Sequence, residues 1–218
     1  MFNAATAFEG RGLENWQVGR VTTMRFMFYE AKNFQGDVSS WDLSACKNMR
    51  SMFNTNELFT GDLSGWNTSL VTEMAYMFWS APLFESVLPW DVSNVRDMTS
   101  MFYEAASFTG RGLENWQTSS LRTMPFMFYR ANVFNADVSG WDIRGVDDLS
   151  QVFDQAFLFD QDLSAWQMSS VTNLYATFTN TSIGDYDLNA WDVSGVQDFR
   201  FLFADGTFNG NISTWDIR

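Results

Sequence analysis

Tryptophan recurs along this chain with a period that leaves few folds open. Trp16, Trp41, Trp66, Trp90, Trp116, Trp141, Trp166, Trp191 and Trp215 stand 24 to 26 residues apart, and only Trp79 falls outside the series. A period of that length marks a tandem array of small units, each too small to bury its apolar side alone. The octapeptide GRGLENWQ, at residues 10–17 and again at 110–117, shows how the array grew. Residues 1–40 and 101–140 match at 23 of 40 positions without a gap, so a block of four units was copied, 1–100 onto 101–201. The repeated octapeptide has an evolutionary origin, not a catalytic one.

Counted from each Trp, apolar residues recur at −3, 0, +2, +5, +8, +11, +12, +15 and +18. In the second unit these are Val38, Trp41, Leu43, Cys46, Met49, Met52, Phe53, Asn56 (the exception) and Phe59. The alternation around Trp41 and Leu43 suits a short strand with one buried face. Met49, Met52 and Phe53 have the i, i+3, i+4 spacing of a helical face. Each unit reads as strand, turn, short helix or 3₁₀ segment, and return turn. The predicted fold is a repeat solenoid of about nine units over residues 1–218. It should carry one short parallel strand per Trp in a single sheet, with the indoles inside. Met1 and Phe2 align with the interior pair Met27 and Phe28, and the chain closes on WDIR inside another unit. It therefore reads as a fragment of a longer solenoid, with open ends suited to end-to-end self-association.

The −3 to +2 segment, L-x-x-W-x-V, fits the leucine-rich-repeat frame L-x-x-L-x-L with Trp in the fourth slot. Units such as FQGDVSSWDLSACKNMRSMF (34–53) and WDVSNVRDMTSMFYEAASF (90–108) resemble the tandem repeat of bacterial surface proteins. That pattern runs roughly F-N-x-D-I-S-x-W-D-V-S-N-V-T-N-M-x-x-M-F-x-x-A and is similar to the surface-protein class of leucine-rich repeats. The resemblance spans essentially the whole chain. It implies a parallel-stranded solenoid, an extracellular or cell-surface location, and an adhesive or scaffolding role with protein or glycan partners. It brings no catalytic residue and no cofactor. Val152, Thr177 and Leu202 depart from the Met of the pattern, and NTSIGDYDLNAW lacks the usual Phe, so looser packing is expected around Thr177.

Composition narrows the function further. The 26 acidic against 13 basic residues give a formal charge of −13, which argues against nucleic acid and anionic membrane surfaces. Histidine is absent, removing the usual general base and the commonest transition-metal ligand. Cys46 is the single cysteine, so no intrachain disulfide forms; it stands where other units carry Val or Leu and reads as core. No apolar run is long enough to span a bilayer. Paired carboxylates could in principle do acid–base work on a sugar. With acids spread evenly over the units no pair is singled out, and the chain reads as non-enzymatic. The sequons at Asn67, Asn180 and Asn211 permit glycosylation and prove nothing.

Two rows of side chains carry functional readings. Asp42, Asp91, Asp142, Asp192 and Asp216 follow their Trp directly and would form an outward polar ladder. That ladder is either a cation or polar-ligand surface, with only Asp192 and Asp216 on neighbouring units, or a solvated face, which is the preferred reading. A second acidic row at −4 (Asp37, Asp62, Asp137, Asp162 and Asp187) reads as turn caps. The other functional row is aromatic: Phe26, Tyr76, Phe126 and Phe201 at +10, and Tyr29, Trp79, Tyr103 and Tyr129 at +13. At about 100° per helical residue these positions point away from +8, +11, +12 and +15, so they form a candidate interaction surface.

Overall fold

A computed structural model describes residues 1–217. Its core is a set of ring columns. The +12 column runs Phe2, Phe28, Phe53, Phe78, Phe102, Phe128, Phe153, Phe178 and Phe203, each centroid 5.6–5.8 Å from the next. Inside a unit the +12 ring stacks on the +18 ring at 3.8–4.3 Å, as Phe78 does on Phe84 and Phe53 on Phe59. The indoles make a third column, with Trp66 and Trp90 at 6.1 Å and Trp116 and Trp141 at 5.8 Å. Met, Leu and Val at +2, +5, +8 and +11 fill the space between, nearly all of them fully buried.

Every indole of the periodic series from Trp41 onward, which excludes Trp79, also donates its Nε1–H to the main chain of the preceding unit. Trp41 reaches the Leu13 carbonyl at 2.9 Å, Trp141 the Leu113 carbonyl at 3.0 Å, and Trp191 the Leu163 carbonyl at 3.0 Å. The acceptor lies at −3 of the neighbouring unit, except for Trp116, which reaches the Leu88 carbonyl at −2. One side chain thus packs the core and staples two units, a role leucine in that slot lacks.

The backbone differs from the expected strand and helix. Parallel pairing occurs as single-residue bridges, none of them at Trp among the described residues: Asp187 pairs with Asn211 at −4, and the rest lie at +7, where Thr23, Asn48, Glu73, Asp97 and Thr123 form one series and Asp148, Asn173 and Asp198 another. From there the N–H groups at +8, +10, +12 and +14 donate to the next unit. Met49, Ser51, Phe53 and Thr55 reach the carbonyls of Glu73, Ala75, Met77 and Trp79 at 2.7–2.9 Å. Within the unit the same stretch is a run of four-residue turns, Met52 N–H to Met49 carbonyl and Asn56 N–H to Phe53 carbonyl among them. The third residue of alternate turns has positive φ, as type II geometry requires: Ser51 at 54° and Thr55 at 56°, and likewise Tyr76 and Ser80. Two left-handed residues per unit are incompatible with a continuous right-handed helix or an extended strand. Among the described residues the helical turns are two short 3₁₀ segments, Leu13–Asn15 and Leu113–Asn115.

Both 3₁₀ turns belong to the copied octapeptide. Gly12 and Gly112 precede them with φ of 85° and 97°, and a Cβ on Gly112 would stand 2.7 Å from the Leu88 carbonyl carbon. Glycine is required there by both conformation and space. Packing around Thr177 is not loosened. Thr177 is fully buried, and its hydroxyl donates within reach of the Leu149 and Leu174 carbonyls at 3.0 and 2.9 Å. Ile183 fills the place of the missing Phe.

Candidate interaction surface

The turn geometry sorts side chains at +8 to +14 into two sets. Met74, Met77 and Phe78 are fully buried, whereas Tyr76 and Trp79 between and beside them are half-exposed. Phe26 with Tyr29 and Phe126 with Tyr129 repeat the arrangement around buried Met27, Phe28, Met127 and Phe128. Tyr103 completes the +13 row, and Phe201 at the end of the +10 row is 61% exposed. The expected direction is observed, but left-handed residues at +10 and +14 cause it, not helical periodicity.

The structure ties these rings together. Trp79, Tyr103 and Tyr129 form a continuous outer stack across three units, with centroids 5.4 and 4.5 Å apart. Phe26 and Tyr29 meet edge to face at 5.6 Å, as Phe126 and Tyr129 do at 6.3 Å. Burial comes first among the causes that push the Tyr103 hydroxyl pKa up, followed by the nearby Tyr129 and Glu104. That hydroxyl stays neutral at physiological pH.

Arginine joins this surface, which the sequence reading did not foresee. Arg25 lies over the Phe26 ring at 4.8 Å, Arg50 over Tyr76 at 4.7 Å, Arg130 over Tyr129 at 5.1 Å and Arg200 over Tyr175 at 5.2 Å. Tyr175 itself was missed because it stands at +9; it meets Phe201 edge to face at 5.9 Å. The sequence held one signal, Arg followed directly by Phe at 25–26 and 200–201. Arg130 also pairs with Glu104 at 3.2 Å and Arg50 with Asp97 at 3.4 Å. The result is a strip of flat apolar faces and guanidinium groups on an otherwise acidic protein. Such a strip can grip ring faces by dispersion and anions by charge.

The acidic ladder is arranged differently. Asp42, Asp91, Asp142 and Asp192 each accept the backbone N–H two residues on, from Ser44, Ser93, Arg144 and Ser194, at 2.9–3.1 Å. Side-chain hydrogen bonds from Ser44, Arg144 and Ser194, then those backbone bonds, hold Asp42, Asp142 and Asp192 below the usual carboxylate range. Asp216 is exposed in the last described unit. The −4 row closes the same kind of turn, as at Asp37 and Ser39 (3.0 Å). Among the described residues no three acidic or thiol side chains converge in a metal-binding group.

A family model described as "Mycoplasma protein of unknown function, DUF285" matches residues 1–109, 83–183 and 163–218, which together cover the chain. The chain belongs to the DUF285 family. The overlap of the three matches reflects tandem repetition, since one family unit fits at several registers of the array. No curated protein matches the chain. In this DUF285 chain the Arg–aromatic strip is the surface that the requirements of the core do not explain.

Proposed function

We propose that this DUF285 chain is a non-enzymatic repeat scaffold, a leucine-rich-repeat-like solenoid displayed at the cell surface, that binds a protein or glycan partner through the Arg–aromatic strip. The stack of Trp79, Tyr103 and Tyr129, flanked by ring-seated arginines, is the observation that carries this reading. Large aromatic faces left partly exposed at regular intervals weaken solubility and contribute less to stability than buried ones, so a binding role accounts for them best. The even distribution of acids, each closed into a local turn, supports a scaffold over a hydrolase. A binding screen against cell-wall glycans and extracellular proteins tests it, with Tyr76→Ser/Trp79→Ser as the control. The double variant should stay folded and lose the ligand that the parent binds; equal binding by both proteins would refute the role of the strip.

The second reading is a structural subunit packed within a larger assembly. It rests on an apolar hollow of about 370 Å³ lined by Phe199, Leu202, Phe203, Ile212, Trp215 and Ile217. Sedimentation over a wide concentration range distinguishes the readings. Assembly predicts concentration-dependent growth that Phe203→Ser abolishes.

A further inference from the structure

Position +13 is filled differently in units two apart. In the unit of Trp90, Tyr103 is sandwiched between Trp79 on one side and Tyr129 on the other. In the unit of Trp41 the same position is Asn54, between Tyr29 and Trp79, and +10 is Ser51, between Phe26 and Tyr76. Two small polar residues therefore leave open a gap that the protein elsewhere closes with a ring of its own. The gap is a groove of about 390 Å³ with the four rings among its lining residues and with Ser51 and Asn54, only 3% and 5% exposed, as its floor.

Its dimensions select the occupant. Neighbouring units at strand-like spacing put the two aromatic walls roughly 10 Å apart, which leaves room for one ring between them. An α-helix, about 10–12 Å across with its side chains, is too wide. An extended peptide along the row would offer same-face side chains every ~6.7 Å, out of step with the walls. A pyranose has apolar C–H faces for the walls and hydroxyl edges for Ser51 and Asn54. An inserted aromatic side chain would turn C–H edges toward Ser51 and Asn54, whose Oδ1 already accepts the Thr55 hydroxyl at 2.8 Å, and would use none of their remaining hydrogen-bonding capacity. Charge narrows the class further. Arg50 is engaged by Asp97 at 3.4 Å, but Arg25, also bordering the groove, makes no ion pair among the described residues. Its guanidinium is held in place over Phe26.

Resting on the outer-strip reading, we propose that the gap over Ser51 and Asn54 is a subsite for one acidic sugar ring, a uronic-acid residue stacked between the aromatic walls with its carboxylate on Arg25. The net charge of −13 repels a polyanion from the rest of the surface. The site is thus suited to a terminal or isolated uronate, not a polyuronate tract.

Calorimetric titration of the whole chain tests this with an oligosaccharide ending in glucuronate and the same oligosaccharide ending in glucose. The parent should bind the acidic sugar at one site and the neutral one at least about tenfold more weakly. Arg25→Gln should erase that preference. Asn54→Tyr, which copies Tyr103, should cut affinity at least about tenfold with an unchanged melting temperature. If that variant is unstable, Ser51→Tyr, copying Tyr76, blocks the same gap. Failure of the parent to bind the acidic sugar, or undiminished binding by the gap-filling variants, overturns the subsite. Undiminished binding by Asn54→Tyr together with loss in Tyr76→Ser/Trp79→Ser would remove the subsite and leave the outer strip as the binding surface.

Discussion

At the scale of residues, the indole at each Trp position contributes a donor as well as a ring. Trp141 illustrates the separation of the two: its ring stacks on Trp116 at 5.8 Å and its N–H reaches the Leu113 carbonyl. Trp141→Phe keeps an aromatic ring and removes the staple, so it should cost about 1–2 kcal/mol in denaturant unfolding. Trp141→Ala removes both and should cost roughly 3–5 kcal/mol. Equal costs would mean that the hydrogen bond contributes nothing. Asp154 is the opposite case, a residue at odds with its surroundings. It is 5% exposed, accepts from Gln151 at 2.9 Å, and leaves Oδ1 without a partner. Burial pushes its carboxyl pKa up, although Gln151, Gln155 and Arg130 oppose the shift. Its counterpart 100 residues earlier is Asn54. Asp154→Asn should therefore raise stability at neutral pH by about 1 kcal/mol, measured as a higher denaturation midpoint, and do less at mildly acid pH. The burial of the Trp and Phe positions was legible from period alone. The indole staples were not, because periodicity reports which side chains face inward and says nothing of what their polar atoms touch.

Elements pose a different problem of legibility. Apolar spacing at +8, +11, +12 and +15 located the buried positions in the segment Met49–Phe53 and its equivalents, yet it assigned them to a short helix or 3₁₀ segment. The same inward and outward sorting arises from consecutive turns with left-handed residues at +10 and +14. Phe26, Tyr76, Ser100 and Glu104 are not residue types that announce positive φ, so no local propensity marked the turns. Tertiary pairing holds them, since the +10, +12 and +14 N–H groups from the Trp16 unit to the Trp166 unit, and all the +8 ones but Met124, are directed at the next unit. Proline is accommodated at +9 in Pro125 because no inter-unit bond uses that N–H. At Ala176, with φ of 52° and 4% exposure, Ala→Gly relieves the left-handed strain. The substitution should stabilise by roughly 0.5–1 kcal/mol, the reverse of its effect within a helix. A loss of stability in thermal unfolding would argue that the segment is helical after all.

For the whole molecule, the acidic balance and the turn-closing carboxylates set the pH response. Hydrogen bonds hold Asp37, Asp42, Asp62, Asp137, Asp142, Asp192 and Asp198 below the usual range. Their folded pKa values lie below the unfolded value of about 3.9, so the stability they contribute is present above that pH and is lost as pH falls through the folded values. Asp154 and Glu73 are raised, chiefly by burial, and act in the opposite direction. Their contribution is complete below the unfolded pKa and is lost as pH rises through the raised folded values. Relief of charge repulsion on acidification works the same way as these two. Melting temperature should therefore peak on the acid side of neutrality and fall below about pH 4. A steady rise down to pH 3 would contradict the assignment of the Asp turns.

The central claim is that the +11 and +12 side chains and the flanking +10 and +13 side chains belong to separate surfaces, the first a core and the second a strip open to a partner. Thermal and denaturant unfolding of two paired variants tests this most directly, Tyr76→Ser/Trp79→Ser against Met77→Ala/Phe78→Ala. The outer pair gives up half-exposed ring contacts and one cation–π contact, and should cost about 1–2 kcal/mol. The inner pair empties two fully buried positions, and should cost at least about 5 kcal/mol or prevent folding. Equal destabilisation by the two pairs, or an unfolded outer variant, would place Tyr76 and Trp79 in the core and contradict the account.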